Sequence, residues 1–286
     1  MARICWRWAR ARLALIGGSG LALLAAWVPP AKAADISPHR ALYAMSLQSA
    51  KSGSGVTGAG GAMAYEWGET CDGWTVQQRF RLRVNYDDSD PVDLDSTLVS
   101  WESKDGLRYR FNERRLRNGD VEEEVKGEAH LDGTGKGGQV EFVKPQPQTM
   151  TLDPGVLFPT AHTILLIDRA KAGDNFISRY VFDGATVDNA GQISAVIGPE
   201  LAPGAPPGKD FGASKVKGPA SPLLQHPSWR MRLAFFPTDV KSEEPDYELS
   251  MRLYDDGVSA EMLLDYTDYV VRAELQGIEA LPKPGC

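Results

Sequence analysis

Trp74-Thr75-Val76-Gln77-Gln78-Arg79-Phe80-Arg81-Leu82-Arg83-Val84 is the stretch that decides the fold. Trp74, Val76, Phe80, Leu82 and Val84 fall on one side of a two-residue period, and Thr75, Gln77, Arg79, Arg81 and Arg83 on the other. Successive side chains of a strand point to opposite faces, so this run is a strand with one face buried and one wet. The pattern recurs. Leu107, Tyr109 and Phe111 alternate with Arg108, Arg110 and Asn112; Trp229, Met231 and Leu233 alternate with Arg230 and Arg232; Tyr247, Leu249, Met251 and Leu253 alternate with Glu248, Ser250 and Arg252. Asp72-Gly73, Asp105-Gly106, Asn118-Gly119, Asp132-Gly133 and Asp256-Gly257 supply dipeptides that accept positive φ in tight turns between such runs. The chain is expected to be an all-β, mainly antiparallel protein.

One segment departs from the period of two. From Pro159 to Ala172, Ala161, Ile164, Leu165 and Leu166 recur at spacings of three and four, which predicts one helix over 159–172. Pro159 suits its first turn, Lys171 the negative end of the macrodipole, and Gly173 a left-handed cap. A sheet with one helix uses it to cover an open face or plug the mouth of a barrel. His162 on this helix is read as an exposed or capping side chain, because Asp168, six residues away, lies on a different face.

Residues 198–222 hold five glycines and six prolines with few large apolar groups. Too little surface is buried there to offset the entropy of ordering it, so the stretch is read as a mobile loop joining two strands within one domain. Val56 to Ala62, with Gly58, Gly60 and Gly61, reads as a weaker and more flexible strand edge.

The first 33 residues read differently from the rest. Arg3, Arg7, Arg10 and Arg12 precede an apolar run from Leu13 to Val28, and Ala31-Lys32-Ala33 fits a signal-peptidase site. Residues 1–33 are therefore expected to be a cleaved signal peptide, and 34–286 a single exported domain of 253 residues. No later stretch approaches the roughly 18 apolar residues of a membrane span, so the mature chain is not expected to cross one. Cleavage removes five of the 31 basic residues and none of the 38 acidic ones, leaving a net charge of −12. That sign disfavours nucleic acid as a partner.

Of three cysteines Cys5 leaves with the leader, and Cys71 and Cys286 remain. Two cysteines in an oxidising compartment point to one disulfide, with intermolecular pairing or two free thiols as the other readings. A bridge would tie down the Pro282-Lys283-Pro284-Gly285 tail.

The four mature histidines, His39, His130, His162 and His226, have no metal-ligand spacing, so no metal is expected. No mature serine stands in G-x-S-x-G, and Gly135-Lys136 and Gly208-Lys209 both lack the first glycine of a nucleotide-binding P-loop. No nucleotide and no other cofactor is expected. Acid-rich runs such as Asp87-Asp88-Ser89-Asp90 and Glu122-Glu123-Glu124 have no diagnostic spacing and read as solvated turns and faces. Arg79, Arg81 and Arg83 with Arg108 and Arg110 would form a basic stripe if their strands align, or would pair with acids on neighbouring strands.

The run Trp101-Glu102-Ser103-Lys104-Asp105-Gly106-Leu107-Arg108-Tyr109-Arg110-Phe111, with Cys71-Asp72-Gly73-Trp74, Phe158-Pro159-Thr160, Tyr254-Asp255-Asp256-Gly257 and a terminal cysteine, resembles the EipB family of alphaproteobacterial cell-envelope integrity proteins. The resemblance covers essentially the whole mature chain. It implies a periplasmic protein built as an open, spiralled sheet, like the half-barrels of periplasmic lipoprotein carriers, with one associated helix. It also implies a disulfide between Cys71 and Cys286, no enzymatic activity, and a binding role in maintaining the envelope barrier. The expected partner is an envelope lipid, a lipoprotein or a periplasmic protein, held in the concave face of the sheet, where Trp74, Phe80, Trp101, Tyr109 and Phe111 are candidates to line it. A carrier moving lipid or lipoprotein between membranes is the first alternative, and an envelope polysaccharide hydrolase using two carboxylates the second.

Overall fold

Amphipathic strands are stable only when their backbone groups pair and their apolar faces meet something. A computed structural model of the chain describes residues 35–211, 216, 222–237 and 244–286. The expected signal peptide at 1–33 lies outside the described residues. The strands are β1 (His39–Ala50), β2 (Val56–Glu69), β3 (Gly73–Tyr86), β4 (Val92–Ser103), β5 (Arg108–Arg117), β6 (Asp120–Leu131), β7 (Gly138–Lys144) and β8 (Gln148–Leu152). After helix α1 (Pro159–Lys171) come β9 (Phe176–Val181), β10 (Gly191–Leu201), β11 (Ser228–Phe236), β12 (Tyr247–Tyr254), β13 (Ser259–Asp265) and β14 (Tyr269–Ala280).

All fourteen described strands belong to one antiparallel sheet, in the order β8-β7-β6-β5-β4-β3-β2-β1-β14-β13-β12-β11-β10-β9. Every neighbouring pair is consecutive in sequence except β1 and β14, so the first and last strands meet in the middle of the sheet. The free edges are β8 and β9, and the segment between them carries α1. The sheet is thus not closed into a barrel. Leu157 makes a single parallel bridge to Val181, and its N–H and C=O bond to Tyr180 and Phe182. The expectation of an open, mainly antiparallel sheet with one helix is met.

The period of two sets the inner face. Rows of inward side chains run across the sheet, for example Leu275, Tyr43, Met63 and Phe80 on β14, β1, β2 and β3. The larger core joins β1–β3, β9–β14 and the underside of α1, where Leu166 and Ile167 are buried. A smaller aromatic core sits over β5–β7, with Tyr109 stacked on Phe158 at 5.2 Å and Phe111 edge-on to Phe182 at 5.5 Å.

Turn chemistry follows the sequence at Asn118-Gly119, where φ is 53° and 87°, and at Gly106 and Gly257. Gly73 differs: it opens β3 without a positive φ, and a Cβ there would meet the Trp101 ring at 2.4 Å. Close approach rather than turn geometry requires that glycine. Val56 to Ala62 forms the first half of β2, an interior strand rather than an edge, with Ala59 to Ala62 paired to β3 and Gly60 to Ala62 also to β1.

The Gly/Pro-rich stretch also differs from expectation at its start. Gly198 and Pro199 lie in β10 at a register shift, and the strand runs on to Leu201. Beyond it the Gly208 N–H donates to Glu261 at 2.9 Å, while Arg252 and Arg230 donate to the Ala205 and Pro206 carbonyls at 2.9 and 3.0 Å. This part of the loop is tied to the sheet. Residues 212–215 and 217–221 of the stretch lie outside the described residues.

Candidate internal binding site

An open sheet whose inner face is apolar must fill that face with side chains, a helix or something else. Here the filling is incomplete. The inner faces of β1–β5 and β10–β13, with α1, line a half-open cavity of about 650 Å³. That is the size range of small-molecule sites, which are mostly apolar with a few polar groups. Its walls include Met63, Phe80, Leu166, Leu233, Leu249 and Met251.

α1 closes one side of the cavity with Pro159, His162, Thr163 and Leu166. The helix has no side-chain cap of its own at Phe158. Glu102 on β4 replaces it: Oε2 accepts the Thr160 N–H and Oε1 the Ala161 N–H, each at 2.7 Å. A helix start leaves such N–H groups unpaired, and a carboxylate there also meets the positive end of the helix dipole. Burial pushes the Glu102 carboxyl up to about 7, against the opposing pull of the Thr160 and Ala161 N–H groups.

His162 corrects the expectation of an exposed or capping residue. It is 4% exposed, faces the sheet, and its Nε2 has no hydrogen-bond partner. Position i, i+4 to Leu166 puts it on the buried side of α1, which the comparison with Asp168 alone misses. Burial lowers its pKa to about 4, with Arg179 adding to the effect, so it is neutral. His39 also lines the cavity; burial lowers its pKa, opposed by the bond of its Nδ1 to the Ser37 carbonyl at 2.8 Å.

A polar end lies where the 182–185 segment crosses the inner face of β5. The Tyr109 hydroxyl donates to the Asp183 carbonyl at 2.8 Å, and Gly184 rests on the Phe111 ring, which a Cβ would meet at 2.4 Å. Asp183 lines the cavity together with Arg115, Arg117, Tyr247 and Tyr266. Asp183 is exposed, and the protein around it raises its carboxyl pKa above the ordinary range. Glu113 follows Phe111 on the same face; burial pushes its carboxyl up to about 7, Arg115 opposes this, and the Asp183 charge adds to it.

The residues singled out in sequence are dispersed. Phe80 lines the cavity. Trp74 is buried in the larger core under the Lys104 ammonium, 3.3 Å from the ring centre, and Tyr109 and Phe111 fill the aromatic core. Trp101 corrects the expectation of a concave position: it pairs with Thr75 and Arg110 on the outer face, where the Arg110 and Arg108 guanidinium groups lie 4.3 and 5.6 Å from its ring. The arginines form no continuous stripe. Asp95 and Asp93 on β4 stand opposite Arg81 and Arg83 and bond them at 2.5 and 2.6 Å, so these two are ion-paired, while Arg108 and Arg110 lie over Trp101. Cys71, in the turn before β3, is joined to Cys286 by a disulfide with Cα atoms 5.8 Å apart.

Sequence reading passed over Glu102, Glu113, Asp183 and His39. A signal existed for one. The parity that puts Tyr109 and Phe111 inside continues to Glu113, making it an acid in an apolar phase.

Among the described residues no group of three or more His, Cys, Asp or Glu side chains is placed to hold a metal ion, and no helix is long and apolar enough to cross a membrane. Comparison with known proteins gives a consistent result. Residues 30–282 match the family model described as EipB-like. The chain is 31% identical over 265 residues to the cell envelope integrity protein EipB of Brucella abortus (strain 2308), covering 90% of each. It also superposes on the crystal structure of a β-barrel-like protein of a domain of unknown function, DUF1849, from Brucella abortus, with a TM-score of 0.77 and 28% identity, over 87% of this chain and all of that one.

Proposed function

Because the chain belongs to the EipB-like family, we propose that it is a non-enzymatic periplasmic protein that maintains cell-envelope integrity by holding the aliphatic part of a lipid or lipoprotein inside its sheet. The observation that carries this reading is the apolar cavity of about 650 Å³ left open between the sheet and α1. A half-open, mainly apolar space of this size has the dimensions of a small-molecule site, which supports the reading. The relative's name, cell envelope integrity protein, supports the physiological setting. A periplasmic location agrees with the N-terminal segment read as a signal peptide.

Leu249 on β12 lines the cavity and is half-buried, so a larger side chain there occupies the space without breaking the sheet. The mature wild-type chain is expected to bind a fluorescent fatty-acid analogue, 11-(dansylamino)undecanoic acid, with a blue-shifted emission. Leu249→Trp is expected to abolish the shift while keeping the wild-type melting curve. A shift that survives in Leu249→Trp would place binding elsewhere and remove the cavity from the proposal.

A further inference from the structure

At the end of the cavity where α1 begins, three nitrogen-bearing rings form part of the wall. His39 and Trp67 face each other directly across β1 and β2, with ring centres 6.4 Å apart, and both line the cavity. Their row continues through Val76 to Ser100 on β4, two residues from Glu102, which caps α1. His162 lines the cavity from the first turn of that helix. The charged lining residues Asp95, Arg115 and Arg117 lie towards the opposite ends of β4 and β5.

Two of these rings are incompletely satisfied. Trp67 and His162 are each 4% exposed, and among the described residues Trp67 Nε1 and His162 Nε2 have no hydrogen-bond partner. Buried polar atoms are paired in the great majority of cases, so two orphans in one cavity wall point to an occupant. His39 indicates its chemistry. Its Nδ1 lies 2.8 Å from the Ser37 carbonyl, which can only accept, so Nδ1 carries the proton. Burial lowers the His39 pKa and keeps the ring neutral at neutral pH, which leaves Nε2 as an acceptor. The Trp67 indole N–H opposite can only donate. A hydroxyl group suits both: its O–H donates to His39 Nε2 while its oxygen accepts from Trp67 Nε1. A carboxylate has no proton to give, an ammonium no lone pair, and an ether or ester no donor.

We propose that His39, Trp67 and His162 form a hydroxyl-recognition subsite at the α1 end of the cavity, and that the bound molecule is an uncharged amphiphile, an aliphatic chain ending in a diol-like head. This deepens the cavity-binding reading and rests on it. One hydroxyl bridges His39 and Trp67. A second pairs with His162 Nε2, which on a neutral imidazole donates or accepts according to the tautomer. Rotation of the rings about their Cβ–Cγ bonds brings the two buried nitrogens to the head group as it enters. The chain runs from there along Met63, Phe80, Leu233, Leu249 and Met251.

Three probes with the same chain length separate the possibilities: 1,2-decanediol, its dimethyl ether 1,2-dimethoxydecane, and decanoate, each titrated into the mature chain by calorimetry at neutral pH. Two neutral hydrogen bonds correspond to about tenfold in affinity, so the diol is expected to bind about tenfold tighter than the ether or decanoate. Trp67→Phe and His162→Phe are each expected to remove most of that preference and leave ether binding unchanged. In the wild type the indole N–H resonance of Trp67 is expected to move downfield with the diol and stay in place with the ether, a readout that does not depend on the variants being as stable as the parent. Equal affinity for diol and ether, tighter binding of decanoate, a preference that persists in both variants, or an unmoved Trp67 resonance would overturn the subsite and leave the cavity reading standing. Binding of none of the three would overturn both.

Discussion

The Glu102 carboxylate on β4 accepts the N–H of Thr160, the second residue of α1, at 2.7 Å, and so supplies the helix cap from a strand 58 residues earlier in the chain. The wall of the cavity formed by α1 is therefore fixed to the sheet by a buried acid. Removing that acid leaves two N–H groups buried and unpaired. Glu102→Ala is expected to lower the unfolding free energy by about 2 kcal/mol, and Glu102→Gln, which keeps one acceptor, by less. Urea titration measures both. An alanine variant as stable as the wild type would mean that the cap contributes nothing.

Stability against pH is expected to reflect two opposed sets of groups, buried carboxyls and buried histidines. Burial raises Glu102 and Glu113 from 4.5 to about 7, so the folded state holds their protons more tightly than the unfolded state. Their contribution is fully present below pH 4.5 and is lost as pH rises through 7. Burial lowers His162 from 6.5 to about 4 and lowers His39. Theirs is present above 6.5 and is lost as pH falls. The slopes oppose each other between about pH 4.5 and 6.5, and burial also raises Asp183 and Asp256, so the carboxyls outweigh the histidines and the wild type is expected to lose stability as pH rises there. Glu113→Gln should make that fall shallower, and His162→Gln should make it steeper. Urea midpoints at four pH values decide it, and parallel profiles for all three proteins would refute the assignment.

The Cys71–Cys286 disulfide closes a loop of 215 residues and holds the last residue of the chain against the β2–β3 turn. Chain-entropy reasoning gives an upper value of about 5 kcal/mol for a loop of this length. Cys286→Ser is expected to lower the melting temperature by several degrees with an unchanged far-ultraviolet spectrum. The oxidised wild type should show no thiol reactive to an alkylating agent until reductant is added. Immediate labelling of Cys71 would exclude the bridge.

Gly184 places Asp183. Its φ is 71°, and an added methyl group would fall inside the Phe111 ring. Gly184→Ala is expected to cost about 1–3 kcal/mol, through overpacking and the left-handed backbone together. Thermal unfolding tests this, and a neutral outcome would mean that the 182–185 segment does not rest on β5 as described.

Strand Trp74 to Val84 and the limits of α1 were legible because local patterns determine them: a period of two, a proline at the first turn, a glycine past the last. Trp101 faces outward, opposite Thr75 and Arg110, and its side depends on which β5 residue it pairs with. Register across a hairpin is a tertiary fact that alternation on one strand does not contain. The pairing of β1 with β14 is likewise invisible locally, since it joins the two ends of the domain. His162 belongs to the buried stripe of α1 with Leu166 and Ala170, which its spacing from Asp168 does not reveal. Asp183 had no signal at all: it lies in an irregular connection, and only the fit of Gly184 on Phe111 brings it to the cavity.

The central claim is that the space between the sheet and α1 holds a lipid-like molecule, and native mass spectrometry of the chain, purified from cells without detergent and paired with organic extraction, tests it most directly. The expected result is a protein carrying one equivalent of an extractable, acyl-bearing species in the wild type, absent from Leu249→Trp. Wild-type protein that is uniformly of apo mass, with no lipid in the extract, would contradict the claim.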